Sequence, residues 1–167
     1  MRTTTDRLRS DRILSLKAQA QGLPVWIVGD IMIDEYVEGD VGRVSPEAPV
    51  PVVHVQRSFC RLGGSANVAH GAAALGAHAS LCGAVGDDST GDTVVSLCAD
   101  LGIDARAVTR LAGRPTTRKL RVLARHQQML RLDWETTETP PAASLSPAFE
   151  RLQAASPPRA VDRKSVV

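Results

Sequence analysis

Aromatic side chains are nearly missing from this 167-residue sequence: two Trp, two Phe and one Tyr make up 3% of it. A platform that stacks successive nucleobases on rings has almost nothing to be built from, and the core must be filled by Val, Leu, Ile and Ala. Cysteine is as sparse. Cys60, Cys82 and Cys98 are widely separated, with no Cys-x-x-Cys and no companion His at metal spacing, so a disulfide framework and a zinc site both lack their ligands. They read as reduced, mostly buried thiols, which predicts a cytoplasmic setting. Neither sign of charge prevails: 20 Lys and Arg face 18 Asp and Glu, and a formal charge of +2 gives no basis for nucleic acid or an anionic membrane as partner. No run approaches the roughly 18 apolar residues that span a bilayer. The basic opening, with Arg2, Arg7, Arg9, Arg12 and Lys17, also lacks the apolar stretch of a secretion signal. The phosphate-loop pattern Gly-x-x-x-x-Gly-Lys and the nucleophile-elbow pattern Gly-x-Ser-x-Gly are absent too.

What is present is a soluble composition, 43% hydrophobic and 23% charged, long enough for one domain with a sizeable core. It is organised around Leu62-Gly63-Gly64-Ser65-Ala66-Asn67-Val68-Ala69-His70, which continues to Gly76. Two glycines permit a tight turn, and the alanine-rich run behind them predicts a closely packed helix over 67–75. Asn67 is then expected at a loop-to-helix junction. Backbone N–H groups are unsatisfied there, and the Asn amide adds a donor and an acceptor for a polar substrate or an anion. Taken alone, the motif also reads as a plain glycine turn closed by a polar residue.

Around it the chain alternates strands and helices. A short helix over 6–20, ended by Gly22-Leu23-Pro24, reads as an appendage. Val25-Trp26-Ile27-Val28 predicts a buried parallel strand opening at Gly29-Asp30 into a loop that carries Asp34 and Glu35. Those carboxylates either bind a metal or accept hydrogen bonds from hydroxyls. Between residues 36 and 56, valines alternate with polar residues and are punctuated by Pro46, Pro49 and Pro51, which predicts a small β excursion on edge strands. His54 on it reads as structural or exposed. A second buried strand is expected over 79–85, a polar loop over 86–92 and a helix over 93–101 closed by Gly102. Further on, residues 116–123 and 129–133 alternate as the arms of a hairpin turned at Arg125-His126-Gln127-Gln128, and one more helix is expected over 147–155. Lys119 and Arg121, two apart on a strand, share a face that is either simply solvated or able to receive a phosphate. The pattern as a whole predicts an α/β fold with a parallel sheet flanked by helices.

Three features together, Gly29-Asp30-Ile31-Met32-Ile33-Asp34, Gly63-Gly64-Ser65-Ala66-Asn67-Val68-Ala69, and Gly76 followed by Gly86, resemble the N-terminal half of a sugar kinase of the ribokinase (PfkB) family. The one departure is Ser65, where the family has Gly, Ala or Pro. Two longer blocks narrow the likeness to the heptose 7-phosphate kinase branch, which serves lipopolysaccharide core synthesis. They are Arg43-Val44-Ser45-Pro46-Glu47-Ala48-Pro49-Val50-Pro51-Val52-Val53 and Lys119-Leu120-Arg121-Val122-Leu123-Ala124-Arg125-His126-Gln127-Gln128.

The resemblance implies a ribokinase-like, Rossmann-like sheet with a small β lid near residues 36–56. It also implies transfer of the ATP γ-phosphate, with Mg2+ accompanying the nucleotide, to the anomeric hydroxyl of D-glycero-D-manno-heptose 7-phosphate. Under it, Asp34 accepts bonds from sugar hydroxyls, Gly63 and Gly64 let the sugar approach the backbone, and Asn67 holds another hydroxyl. Lys119 and Arg121 reach the sugar phosphate or neighbouring hydroxyls, and the lid pairs two subunits in a homodimer. The family's later Gly-Ala-Gly-Asp, which supplies the anion hole and the catalytic base, does not occur in this sequence. Gly83-Ala84-Val85-Gly86-Asp87 carries an extra Val and is no substitute. The closing Asp162-Arg163-Lys164-Ser165-Val166-Val167 resembles a translated sequencing-adapter end. The expected layout is therefore a helical extension over 1–24, the first half of a kinase domain over 25–155, incomplete at its C-terminus and inactive alone, and a non-native tail over 156–167. A kinase for another sugar, or a non-catalytic sugar-binding or dimerisation module, is the alternative.

Overall fold

The computed structural model describes residues 10–125, 127–154 and 157–164. In chain order it runs Ser10–Ala20 (α1), Pro24–Gly29 (β1), Ile31–Val44 (β2), Pro51–Gly63 (β3), Gly64–Ala74 (α2), His78–Gly86 (β4) and Ser89–Asp100 (α3). Asp104–Leu111 (β5), Thr117–Ala124 (β6), Gln127–Trp134 (β7), Ala142–Gln153 (α4) and Ala160–Lys164 (β8) complete it.

Two runs without Asp, Glu, Lys or Arg, β1 and β4, form the centre of a parallel sheet ordered β5-β4-β1-β8, with the charge-bearing β5 and β8 at its edges. Successive side chains point to opposite faces, so the apolar central strands β1 and β4 must be covered on both sides. Ile27, Ala79, Leu81 and Val85 face α2 and α3, where Ala66, Ala69, Val94 and Cys98 complete one cluster. Cys82 and Ala107 face α4, packed against Ala148 and Leu152 with Trp26 and Val28 alongside. Ile27 and Leu81 are fully buried, each worth about 1.5–3 kcal/mol of transfer free energy. The alanines of α2 let that helix sit close to the sheet. Burial also pushes the Cys98 thiol up to about 11, so it behaves as a packing residue rather than a nucleophile.

The second sheet, ordered β3-β2-β6-β7, is mixed: β2 pairs antiparallel with β3 and parallel with β6, and β6 and β7 form an antiparallel hairpin. As the prolines require, β3 is an edge strand, with Pro51 at its start and Pro46 and Pro49 in the 45–50 turn. His54 is exposed on that edge. The sheet is larger than the excursion expected over 36–56, since β2 begins at Ile31 and β3 runs to Gly63. Asp34 and Glu35 therefore stand on a strand, not in a loop.

The two sheets are joined at a buried polar knot. Asp88 caps α3 by accepting the Gly91 N–H at 2.7 Å, and also accepts the Thr116 N–H at 2.8 Å and hydroxyl at 2.7 Å. The Thr116 hydroxyl accepts from the N–H of Gly86, at the end of β4. One side chain thus ties β4, α3 and the start of β6 together. Burial by itself raises the Asp88 pKa, but the hydrogen bonds from Thr116, Gly91 and Thr90 outweigh it and hold the carboxyl below its ordinary value.

Several boundaries differ from expectation. Helix α3 starts at Ser89 rather than 93, because its first turn is polar and capped while the apolar rhythm begins only at Val94. Helix α4 starts at Ala142, leaving Pro147 inside it rather than at its head. Strand β5 has no counterpart among the elements expected from the sequence. The expected start of α1 at residue 6, His126 of the hairpin turn, the end of the last helix at 155 and the closing residues 165–167 lie outside the described residues. Residues 160–164, expected in a non-native tail, pair with β1 as β8.

Candidate sugar site

Strand order reverses at β1, and its carboxyl end is where open α/β sheets place ligands. There Gly29-Asp30 passes directly into β2, and the Gly-Gly motif closes over the junction. Gly64 has φ +57, the left-handed region that costs a Cβ-bearing residue about 1–2 kcal/mol. A Cβ on it would also press into the Asp30 carbonyl oxygen. That oxygen accepts the Ser65 N–H at 2.8 Å and the Ser65 hydroxyl at 2.9 Å. Ser65, the departure from the family pattern, is fully buried and adds this second bond. Gly63 has φ −119, open to any residue, so its constraint is space: a Cβ there would lie 2.6 Å from Asp34 Oδ2 and 2.7 Å from Met32 Cγ.

Helix α2 begins at Gly64 with Gly63 as its cap, and this corrects the reading of Asn67. Asn67 is not at the loop-to-helix junction but one turn inside the helix, with its side chain exposed. Among the described residues no hydrogen bond joins it to Asp34, Lys119 or Arg121.

Cross-strand register assembles the rest. On one face of the second sheet, Arg61, Asp34, Lys119 and Asp133 lie in a row across β3, β2, β6 and β7, and Phe59, Tyr36, Arg121 and Arg131 form the next row. Asp34 accepts a hydrogen bond from the Arg121 guanidinium at 2.5 Å, diagonally across the ladder, with both side chains about four-fifths buried. That bond raises the Arg121 pKa above its ordinary value. Lys119 is held by Glu135 at 2.6 Å and Asp133 at 3.1 Å, Glu135 contributing most to the upward shift of its pKa. The structure thus brings Asp34, Gly63 and Arg121 into contact and sets Lys119 beside them. It also shows that both cations already serve carboxylates.

Sequence reasoning missed Tyr36, Phe59 and Arg61. The two rings stack with centroids 5.0 Å apart and 12° between planes, and Arg121 lies over Tyr36 at 5.5 Å. The signal was available, since Phe59, Arg61 and Gly63 alternate on one face of a strand. The excursion expected over 36–56 stops short of all three, whereas β3 runs on to Gly63. Asp88 and Thr116 were missed for want of any short motif linking positions 28 apart.

Glu35 faces the other way and pairs with Arg118 at 3.8 Å. Among the described residues no group of three His, Cys, Asp or Glu is placed to hold a metal ion. Gly83-Ala84-Val85-Gly86 lies within β4 rather than at a helix N-terminus, so it offers no anion hole. No helix among the described residues is long and apolar enough to cross a membrane.

The pfkB family of carbohydrate kinases matches residues 25–155. The bifunctional protein HldE of Magnetococcus marinus is 54% identical over 112 residues, 67% of this chain and 23% of that protein. The HldE of Pseudomonas aeruginosa strain LESB58 is 48% identical over 131 residues, 78% of this chain and 28% of that protein. This chain therefore spans about a quarter of the length of these curated relatives. Among solved structures, the microbiome-derived acarbose kinase Mak1 aligns with TM-score 0.57 at 22% identity, over 86% of this chain and 46% of that one. Arabidopsis thaliana ribokinase, solved with ribose and ATP, aligns with TM-score 0.51 at 21% identity, over 70% and 36%. At these identities the structural likeness speaks for the fold.

Proposed function

Because the chain belongs to the pfkB family of carbohydrate kinases, we propose that its residues 25–155 form the acceptor-sugar side of an ATP-dependent heptose 7-phosphate kinase acting in ADP-heptose synthesis. The observation that carries this reading is the Asp34 carboxylate, seated against Gly63 where no side chain intervenes and oriented by Arg121. An ionised carboxylate fixed in this way accepts hydrogen bonds from vicinal sugar hydroxyls, each worth about 1.5–3 kcal/mol. Gly63 and Gly64 leave the backbone open to the sugar, Asn67 offers an exposed amide from α2, and Arg121 presents N–H groups to neighbouring hydroxyls, while Lys119 is held between the carboxylates of Asp133 and Glu135. The β2–β3 ribbon with the β6–β7 hairpin serves as the lid. ATP supplies the transferred phosphoryl group, with Mg2+ screening its charge. The residues present do not fit a nucleoside triphosphate, since neither a Gly-Ala-Gly-Asp nor a phosphate loop occurs in the sequence, and their part in the reaction is to hold the acceptor.

Calorimetry tests the reading. The chain is expected to bind D-glycero-D-manno-heptose 7-phosphate, Asp34→Asn is expected to weaken binding about tenfold or more, and no turnover is expected with ATP. No binding by the unmodified chain removes the proposal, and measurable turnover removes its inactive-alone part.

The opposite face of the lid supports a homodimer. Leu120 and Val122 pair with Leu132 and Leu130, and Arg118 stacks 3.7 Å over Trp134. Leu130, Leu132 and Trp134 are 40–52% exposed on that single face. A continuous apolar face of this kind marks an association surface. Leu132→Glu is expected to convert a dimer into a monomer in analytical ultracentrifugation; a monomeric parent at the same concentration overturns the dimer.

A further inference from the structure

The polar face of the lid carries Arg57, Arg61, Lys119, Arg121 and Arg131, and their counter-ions separate them. Arg57 is paired with Glu38 at 2.6 Å, Lys119 with Glu135 and Asp133, Arg121 with Asp34, and Arg131 with Asp133 at 3.0 Å. Arg61 alone makes no ion pair among the described residues, although it stands directly opposite Asp34 in the ladder. Asp34 turns instead to Arg121, on the far side. The Arg61 guanidinium folds back over the stacked rings, 5.2 Å from the Phe59 centroid and 5.9 Å from the Tyr36 centroid. An aromatic face attracts a cation without consuming its N–H donors, so the planar fork is held and its edge remains available. A guanidinium in that state matches the bidentate geometry of a phosphate dianion, whereas an anion approaching Lys119 must displace two carboxylates.

We propose that Arg61, on its Tyr36–Phe59 platform, is the residue that recognises the phosphate of the acceptor sugar, and that Lys119 is a structural cation. The assignment rests on the sugar-site reading above and deepens it. Asp34 holds the hydroxyls, Arg121 positions Asp34, and Arg61, one strand away, takes the phosphate of the same molecule.

The test measures binding of heptose 7-phosphate and of unphosphorylated heptose to the chain and to three variants at one ionic strength. Arg61 is exposed, so Arg61→Gln leaves the fold intact. It is expected to lose tenfold or more in affinity for the phosphorylated sugar and to bind free heptose as the parent does. Arg61→Lys is expected to recover part of the loss, and Lys119→Gln to stay within about threefold of the parent for both sugars. If Arg61→Gln binds the phosphorylated sugar unchanged, or the parent does not prefer it over free heptose, the Arg61 assignment is overturned while the sugar site stands. If the parent binds neither sugar, the sugar-site reading itself falls.

Discussion

Gly64→Ala is expected to destabilise the chain by about 3 kcal/mol or more, read as a lower urea midpoint with an unchanged slope. Two terms add. The left-handed backbone at φ +57 costs alanine about 1–2 kcal/mol. Its methyl group must also push against the Asp30 carbonyl, and overpacking of this kind costs roughly 1–3 kcal/mol. Moving that carbonyl releases both bonds from Ser65, and with them the start of α2. Gly63→Ala makes the contrast. Its φ of −119 suits any residue, so the added methyl acts on Asp34 and Met32 instead. The expected result is a smaller stability loss with the larger loss in sugar affinity. Equal destabilisation by the two substitutions would contradict this division of labour.

Asp88→Ala is the second large effect, about 2–4 kcal/mol. An N-cap is worth about 1 kcal/mol, and removing the carboxylate leaves the buried Thr116 N–H and hydroxyl without their acceptor, at about 1–3 kcal/mol. Asp88→Asn is expected to fall between, because its carbonyl keeps the Gly91 bond while its NH2 group meets the Thr116 N–H, donor against donor. The effect has a pH signature. The folded-state pKa of Asp88 lies below the ordinary value of 3.8. Its contribution is thus complete above that value and is lost as pH falls through the folded value. The stability gap between parent and Asp88→Ala should be constant near neutrality and close in acid. A gap that instead widens below pH 4 contradicts the assignment.

Legibility followed the range of the signal. Val25-Trp26-Ile27-Val28, the Gly-Gly turn and the 116–133 hairpin were readable because uninterrupted apolar runs, glycine pairs and strict alternation are local patterns. Strand β5 was not, because Asp104-Ala-Arg-Ala-Val-Thr-Arg-Leu fills its buried position with Ala107, too small to stand out from its neighbours. The first turn of α3 was hidden for a related reason: capping residues are polar, and apolar periodicity marks only the part of a helix that touches the core. At the site, Asp34, Gly63, Lys119 and Arg121 were found as residue types. Which cation serves which carboxylate was beyond reach, because the Asp34–Arg121 bond spans 87 positions and depends on parallel β2–β6 register. The same register leaves Arg61 unclaimed.

The β2–β3 ribbon outruns its neighbours. Its pairing with β6 stops at Gly39, and register shifts interrupt the β2–β3 ladder between Glu38 and Gly39 and again between Val41 and Arg43. Past that point the ribbon is a two-stranded arm ending in the 45–50 turn, closed by the Ser45 N–H to Val50 O bond at 2.8 Å. Two strands without a third contribute little stability of their own. Everything assigned to the sugar lies on the near side of the first break. The arm is therefore a natural place to lengthen, shorten or label the protein, since a peptide or fluorophore at its tip is separated from Asp34 and Arg61 by two interruptions of the ladder.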